Sequence, residues 1–465
     1  MLTKIGYKCG QNYSKPNGEL IEIKYFYVKI RGVDWEKNRH RTINNNMKYK
    51  FTLALIAAIL GISSAVSYGQ DKATLDLLVS KGVITRQEAD AVSKKSVMVS
   101  PKEKTTKSVK LIGRVQTQYE NITTDETVGG VKNELGTKSD FLMRRIFLGM
   151  NADLGSGWSA TVIADFCRSD ANYLEYAYIS KEYDGEFLSG TADIGYKKIK
   201  FNLEEYTSAS KLLSIERSLA SRYFSEGNNG RRLGLGGRHT GLYWEGETPV
   251  DGLQYGLSIT NSYSNNPSSI PDGAQDGLLY AANVSYSGKI ADTVSFQAGV
   301  NAAYTNDTNV AGTAGEHGGY IIGLNPYVKL SAYGFSLWSE FLMANMEDAK
   351  NNYTQDATPM GVNVGIEYKF DIGEFGAIAP TVRYSWIDTD GRGIKVSDGV
   401  RNAYADTSFD RGQSIYAGLN WYINGNALKF QIGYEYAKLE GSPTDSSAVQ
   451  SAVANAVRAQ MQVLF

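Results

Sequence analysis

The chain has 465 residues, of which 42% are apolar and 21% charged, and its formal net charge is −1. Apolar and aromatic content of this size excludes a disordered chain, and two cysteines exclude a disulfide scaffold. Only one apolar run approaches the length of a membrane helix, which excludes a helical membrane bundle. The 48 glycines and 31 tyrosines predict a β-rich chain with many turns.

The segment from Met47 to Gly69 has the order of a secretory signal peptide. Lys48 and Lys50 precede a twelve-residue apolar core, Phe51–Ile62, and small residues follow it. The core is shorter than the about 20 residues needed to span a bilayer. We therefore predict a signal peptide over 47–69, and an upstream extension from a mis-assigned start over 1–46.

A short helical segment is predicted after the signal peptide. Leu75, Leu78 and Val79 share one helical face, and Thr85 with Glu88 forms a capping box for a second helix. Residues 96–108 are polar and are predicted to be a linker. Residues 70–108 are thus expected to form a periplasmic helical segment and linker.

From residue 109 onward the apolar pattern changes from a helical period to a period of two. In one run Val294, Phe296, Ala298 and Val300 share a face, and many later runs repeat this alternation. The pattern predicts sixteen strands, at 109–121, 139–154, 158–168, 172–183, 190–201, 230–247, 251–263, 277–289, 293–305, 319–332, 334–346, 360–371, 375–388, 411–424, 426–439 and 455–465.

Short connections alternate with long ones, which are 122–138, 202–229, 264–276, 306–318, 389–410 and 440–454. This is typical of a transmembrane β-barrel, because a sheet in lipid must close to satisfy its backbone. The predicted fold is all-β: a 16-stranded antiparallel transmembrane barrel over 109–465, after a short N-terminal helical segment. Tryptophans near the short turns, at 158, 244, 338 and 421, fit an interfacial aromatic girdle.

Polar residues occupy the other strand face and predict a water-filled lumen, since sixteen strands enclose an aqueous channel. The connection 202–229 contains apolar residues that a free surface loop does not need, so we expect it to fold into the lumen as a constriction loop. Residues 195–238 hold nine cations against four anions. A basic constriction concentrates anions, although pairing of Glu216 with Arg217, or of Glu204 and Glu205 with Lys200, would weaken it.

The motifs in this region resemble those of the phosphate-selective porin O and P family. Gly195-Tyr-Lys-Lys-Ile-Lys-Phe201, Glu204, Thr207-Ser208 and the block Ile215-Glu-Arg-Ser-Leu219 match its constriction-loop motif. Arg144-Arg145, Ala164-Asp-Phe166 and Glu175-Tyr-Ala-Tyr-Ile179 are similar to other family blocks. Lys198 stands at the motif lysine, whereas Lys200 stands where the motif has proline.

The resemblance implies a trimeric porin of the Gram-negative outer membrane that passes small anions by diffusion. The residues expected at the constriction, where anions bind, are Lys197, Lys198, Lys200, Lys211, Arg217, Arg145 and Arg114. Expected partners are small anions such as phosphate or other hydrophilic solutes, outer-membrane lipid and the barrel-assembly machinery, with no nucleic acid. The amphipathic last strand, which ends in Phe465, resembles the signal that this machinery reads.

Two alternatives stay open: a general, non-selective porin, and a structural or adhesive barrel protein. An enzyme is not expected, because His239 and His317 have no readable serine or aspartate partner and fit solvated histidines better. No catalytic residue, metal or cofactor is predicted.

Overall fold

A computed structural model describes residues 107–167, 173–185, 189–227, 231–262, 264–265, 276–308, 318–404, 407–441 and 449–465. Before residue 107 it describes only four two-residue strands, with Ile5–Gly6 pairing Tyr27–Val28 and Tyr13–Ser14 pairing Leu20–Ile21. The predicted signal peptide and helical segment lie outside the described residues. In the described part of the chain, no helix is both long and apolar enough to cross a bilayer.

Sixteen antiparallel strands form a closed barrel, as predicted. They are β1 (Ser108–Val128), β2 (Val131–Gly155), β3 (Trp158–Asp165), β4 (Leu174–Asp184), β5 (Ser189–Lys198), β6 (Arg238–Glu247), β7 (Leu253–Asn261), β8 (Leu278–Ala291), β9 (Val294–Thr305), β10 (Ile321–Ala332), β11 (Phe335–Lys350), β12 (Met360–Tyr368), β13 (Ala377–Asp388), β14 (Arg411–Asn426), β15 (Leu428–Glu440) and β16 (Val449–Leu464). Each pairs with its neighbours in the chain, and β16 closes the barrel on β1 with Gln460 opposite Gln118.

The barrel is inverted relative to a soluble protein, with apolar side chains outside and polar ones inside. On β14, Ile415 and Leu419 are exposed on the outer face, whereas Ser414 and Asn420 are buried on the inner face. Apolar side chains stay exposed around the wall because lipid is their solvent, and backbone groups are satisfied by closure. The fold therefore matches an outer-membrane barrel.

Several predicted boundaries are wrong, and the last strand begins at Val449 rather than at residue 455. Residues 122–138 are not a long loop: β1 and β2 extend through them to a tight turn at Gly129-Gly130, where both φ angles are positive. The threonines and charged residues of 122–138 lie on a hairpin that extends the barrel wall. In addition, the strand predicted from residue 230 begins only at Arg238.

The predicted constriction loop does fold into the lumen. We call residues 199–237 the constriction segment; it carries two helices, α1 (Leu203–Tyr206) and α2 (Leu219–Ser225). Asn202 caps α1 and Ser218 caps α2, each side chain accepting a hydrogen bond from a backbone N–H in the first turn. Phe201, Leu219, Tyr223 and similar apolar side chains are fully buried, which explains their presence in a connection.

A second long connection, residues 389–410, also turns inward, which was not predicted. We call it the strap. It contains a short helix, α3 (Val396–Gly399), and a two-residue ladder between Ile394–Lys395 and Ser408–Phe409. Ile394, Val396 and Val400 belong to the same buried apolar cluster as α2. The strap therefore packs on the constriction segment rather than lying on the surface.

Candidate functional site: the constriction of the lumen

The constriction segment is fixed to the inner faces of β11–β15 by buried polar contacts. Glu340 on β11 accepts hydrogen bonds from the backbone N–H of Leu203 at 2.7 Å and of Glu204 at 3.3 Å. Arg383 on β13 forms ion pairs with Glu204 at 3.2 Å and with Glu435 of β15 at 2.6 Å. Buried charges in such geometry hold a segment in one register, because an unpaired one is costly.

Further along the segment, wall side chains bind its backbone carbonyls. The Lys429 ammonium donates to the carbonyls of Ser210 at 2.9 Å and Leu212 at 3.1 Å. Asn420 donates to the carbonyl of Leu213 at 2.9 Å. The segment is thus held against one side of the barrel and leaves open space on the other.

That open space is a cavity of about 650 Å³ between the constriction segment and the opposite wall. Strands β1, β2 and β4 line one side with Arg114, Arg145 and Tyr176, and the strap contributes Arg401 and Asn402. Eight cationic side chains line it against four carboxylates. The cations are Arg114, Arg144, Arg145, Lys198, Arg217, Arg232, Arg238 and Arg401, and the carboxylates belong to Asp165, Glu175, Glu205 and Glu226.

Arg114 and Arg145, both predicted site residues, form no ion pair within the described residues. Arg114 lies 4.8 Å from the centre of the Phe147 ring and donates to the Ser208 hydroxyl at 3.0 Å. Arg145 donates to the side-chain oxygen of Gln116 at 2.8 Å. Their neutral partners orient both guanidiniums without cancelling their charge, so both can contribute to a positive field in the cavity.

Lys198 and Arg217 also reach the cavity, but both are paired. Glu205 lies 2.6 Å from the Lys198 ammonium and 2.6 Å from the Arg217 guanidinium. Two cations therefore share one carboxylate, so this group of three side chains keeps a net charge of one positive.

The structure places the other three predicted cations away from the cavity lining. Lys197 lies 2.5 Å from Asp193, and Lys200 lies 2.9 Å from Glu245. Lys211 is exposed and forms no ion pair in the part of the chain that the structure describes. These three lysines are not brought together with Arg114 and Arg145.

The anticipated local pairs did not form as expected. Glu216 pairs with Arg144 of β2 and Arg401 of the strap rather than with Arg217. Although burial alone raises the pKa of Glu216, the Arg144 guanidinium outweighs it and holds that pKa well below its usual range. Glu216 is therefore a carboxylate that joins the wall, the constriction segment and the strap.

Sequence reasoning missed the part of Arg144 and Arg401 in the site. The sequence singles out Arg144 only within a motif resemblance, and Arg401 lies in the long connection 389–410, for which no inward fold is predicted. A signal for the strap was present, since Ile394, Val396 and Val400 are apolar residues that a free surface loop does not need. The same criterion had identified 202–229.

His239 is not solvated. It is fully buried, and its Nδ1 and Nε2 atoms lie 2.8 Å and 3.0 Å from the carbonyl oxygens of Asn261 and Gly236. His317 lies outside the described residues. Among the described residues, no group of three or more histidine, cysteine or acidic side chains could hold a metal ion.

A protein-family model described as "Phosphate-selective porin O and P" matches residues 109–465. The chain belongs to this family. Like the family, it is a porin of the outer membrane of Gram-negative bacteria. Both the porin family and the fold point to a channel rather than an enzyme.

Solved porins share the fold of this family member at low sequence identity. The outer membrane channel DcaP of Acinetobacter baumannii is 13% identical with a TM-score of 0.50, covering 79% of this chain and 100% of its own. An anion-selective porin from Comamonas acidovorans is 14% identical with a TM-score of 0.48, covering 77% and 99% respectively. A search of curated proteins found no significant match.

Proposed function

We propose that this porin passes small hydrophilic solutes by passive diffusion and prefers anions. The observation that supports the proposal is the lining of the cavity beside the constriction segment, with eight cations against four carboxylates. In a narrow pore between low-dielectric walls, a net positive lining raises the local concentration of anions. The family description suggests phosphate as one such anion.

Within this proposal, Arg114 and Arg145 are charges of the lining that no carboxylate pairs with among the described residues. Their neighbours Lys198 and Arg217 add the single charge that Glu205 leaves uncompensated. Lys197, Lys200 and Lys211 lie outside the cavity lining. Lys197 and Lys200 are also paired with carboxylates, so we expect these three lysines to affect anions less.

The test is the reversal potential of the purified porin in a planar bilayer under a KCl gradient. We expect wild type to prefer chloride, and Arg145→Gln to lower the anion-to-cation permeability ratio. Arg411→Gln is the matched control, because that arginine is 62% exposed and pairs with Asp388 away from the cavity. A cation preference in the wild-type channel would refute the proposal.

The second candidate is a general porin with little ion discrimination. It is favoured by one observation: Arg232 and Arg401 both pair with Glu226, and Arg238 pairs with Glu175, so much of the basic lining is neutralised. For this candidate, wild type would show a permeability ratio near unity that Arg145→Gln leaves unchanged. Addition of phosphate to the KCl solution would then cause no block of the single-channel current.

A further inference from the structure

Hydrogen bonds in both directions join the strap to the constriction segment inside the lumen. The Arg222 guanidinium of α2 donates to the carbonyls of Ser397 at 3.2 Å and Gly399 at 3.0 Å. In the opposite direction, Arg392 of the strap donates to the Tyr223 hydroxyl at 2.8 Å and to the Arg231 carbonyl at 2.8 Å. Contacts that run both ways between the two connections fix their relative position.

Beyond α3 the strap reaches the far wall of the barrel. The Asn402 amide donates to Glu120 of β1 at 2.8 Å, and the backbone N–H of Tyr404 donates to the Thr124 hydroxyl at 3.2 Å. Arg458 of β16 donates to the Arg401 carbonyl at 2.8 Å. The strap therefore runs from α2 to β1 and β16, and Arg401 is held at both sides.

The side chain of Arg401 points back to the cavity. Its guanidinium lies 3.2 Å from Glu216 and 2.8 Å from Glu226, yet the side chain remains 31% exposed. Both carboxylates have other cationic partners, since Arg144 binds Glu216 while Arg222 and Arg232 bind Glu226. Even without Arg232, the three guanidiniums of Arg144, Arg222 and Arg401 share two carboxylates, so this group keeps a positive excess, and Arg401 is the member that the strap places in the cavity lining.

We propose that Arg401 is a selectivity-determining residue of the channel, supplied by the strap rather than by the constriction segment. An anion in the cavity is attracted by Arg401 together with Arg114 and Arg145, which line the same cavity. This inference rests on the proposed anion preference. It adds a second chain segment to the walls that set charge and width.

The experiment measures permeability ratios for Arg401→Gln, Arg401→Lys and Arg392→Gln in planar bilayers with KCl. We expect Arg401→Gln to lower the anion-to-cation permeability ratio by about two-fold, since one charge is removed from a narrow, partly desolvated site. Arg401→Lys keeps the charge and should keep the ratio. Arg392→Gln is the control, because it loosens the strap without removing charge from the cavity lining.

Heat-modifiable migration on gels first confirms that each variant is a folded barrel. The inference is overturned if Arg401→Gln leaves the ratio unchanged, or if Arg392→Gln lowers it as much, since displacement of the strap would then be the cause. The proposed function fails separately, through the sign of the wild-type reversal potential. Even in a cation-preferring channel, Arg401→Gln must shift the ratio further toward cations.

Discussion

Glu216 shows how one side chain organises the lumen. It accepts from Arg144 of the wall at 2.9 Å and from Arg401 of the strap at 3.2 Å, so it connects three parts of the barrel interior. Its low pKa means that these contacts stabilise the fold above the ordinary glutamate pKa of about 4.3, and are lost only as pH falls through the lower folded value.

The current through the channel should therefore be quiet from neutral pH down to about pH 5 and become noisy only in stronger acid. Glu216→Gln should produce that noise at pH 7, because two guanidiniums lose their shared carboxylate. Single-channel recordings across pH measure the effect. Glu374→Gln, on an exposed turn, is the control and should behave as wild type. A Glu216→Gln channel as quiet as wild type at pH 7 would contradict this assignment.

Arg383 is among the largest fully buried side chains of the described residues, and it is charged. It is 1% exposed and pairs with Glu204 and Glu435. Arg383→Met should destabilise the docked constriction segment by about 3–5 kcal/mol, because the buried carboxylate of Glu204 loses its cation and Glu435 keeps only Arg458. Arg411→Met breaks an exposed pair and should cost about 0–1 kcal/mol.

Limited proteolysis of the segment, together with urea unfolding in detergent, measures both variants. Equal protease sensitivity of Arg383→Met and Arg411→Met would show that the ion pairs do not hold the segment in place.

At the scale of elements, α2 and α3 meet at a point with no spare room. A Cβ added at Gly399 would overlap the Leu219 side chain, which is itself fully buried. Gly399→Ala should weaken the contact of strap and constriction segment by about 1–3 kcal/mol, the usual cost of overpacking. The double variant Gly399→Ala with Leu219→Ala should cost less stability than the sum of the two single variants, because alanine at 219 makes space for the added methyl group.

Protease cleavage within the strap measures this coupling. If the two changes add without any recovery, the packing of Gly399 on Leu219 is not what joins the two elements.

Elements of period two were predictable, and their ends were less so. Alternation in runs such as 428–439 identifies a strand by itself, because one face meets lipid and the other meets water. The hairpin at 122–138 escaped notice because its upper part has polar side chains on both faces, so no alternation marks it. The inward fold of the strap was not predicted, because its few apolar residues form only a short run.

The site was predictable in kind but not in its pairings. A basic segment near residue 198 can be read from composition, and Arg145 from its inward parity on β2. Which carboxylate meets which guanidinium depends on how a long connection folds against strands far away in the chain. Glu216 pairs with Arg144 and Arg401, which are too far from it in the sequence for a local pattern to predict the contact.

For the whole molecule, closure of the barrel depends on its last strand. Phe465 is hydrogen-bonded through its backbone to Gly113, with N···O distances of 2.7 Å and 3.1 Å, and its side chain is 62% exposed. Phe465→Ser should lower the fraction of folded barrel in the outer membrane, because the Phe465 ring packs over Gly113 where β16 closes on β1. Phe375→Ser, also an exposed aromatic, is the matched control.

The readout is the heat-modifiable fraction in isolated outer membranes. An unchanged fraction for Phe465→Ser would show that the Phe465 ring does not contribute to closure of the barrel.

The contacts between the strap and the constriction segment have an evolutionary consequence. Long connections between strands usually tolerate substitution, because they contact little of the rest of the fold. Here, two of these connections share ion pairs and a packed apolar cluster inside the lumen. A substitution in either connection therefore disturbs the other, so we expect the two to change together in evolution rather than one at a time.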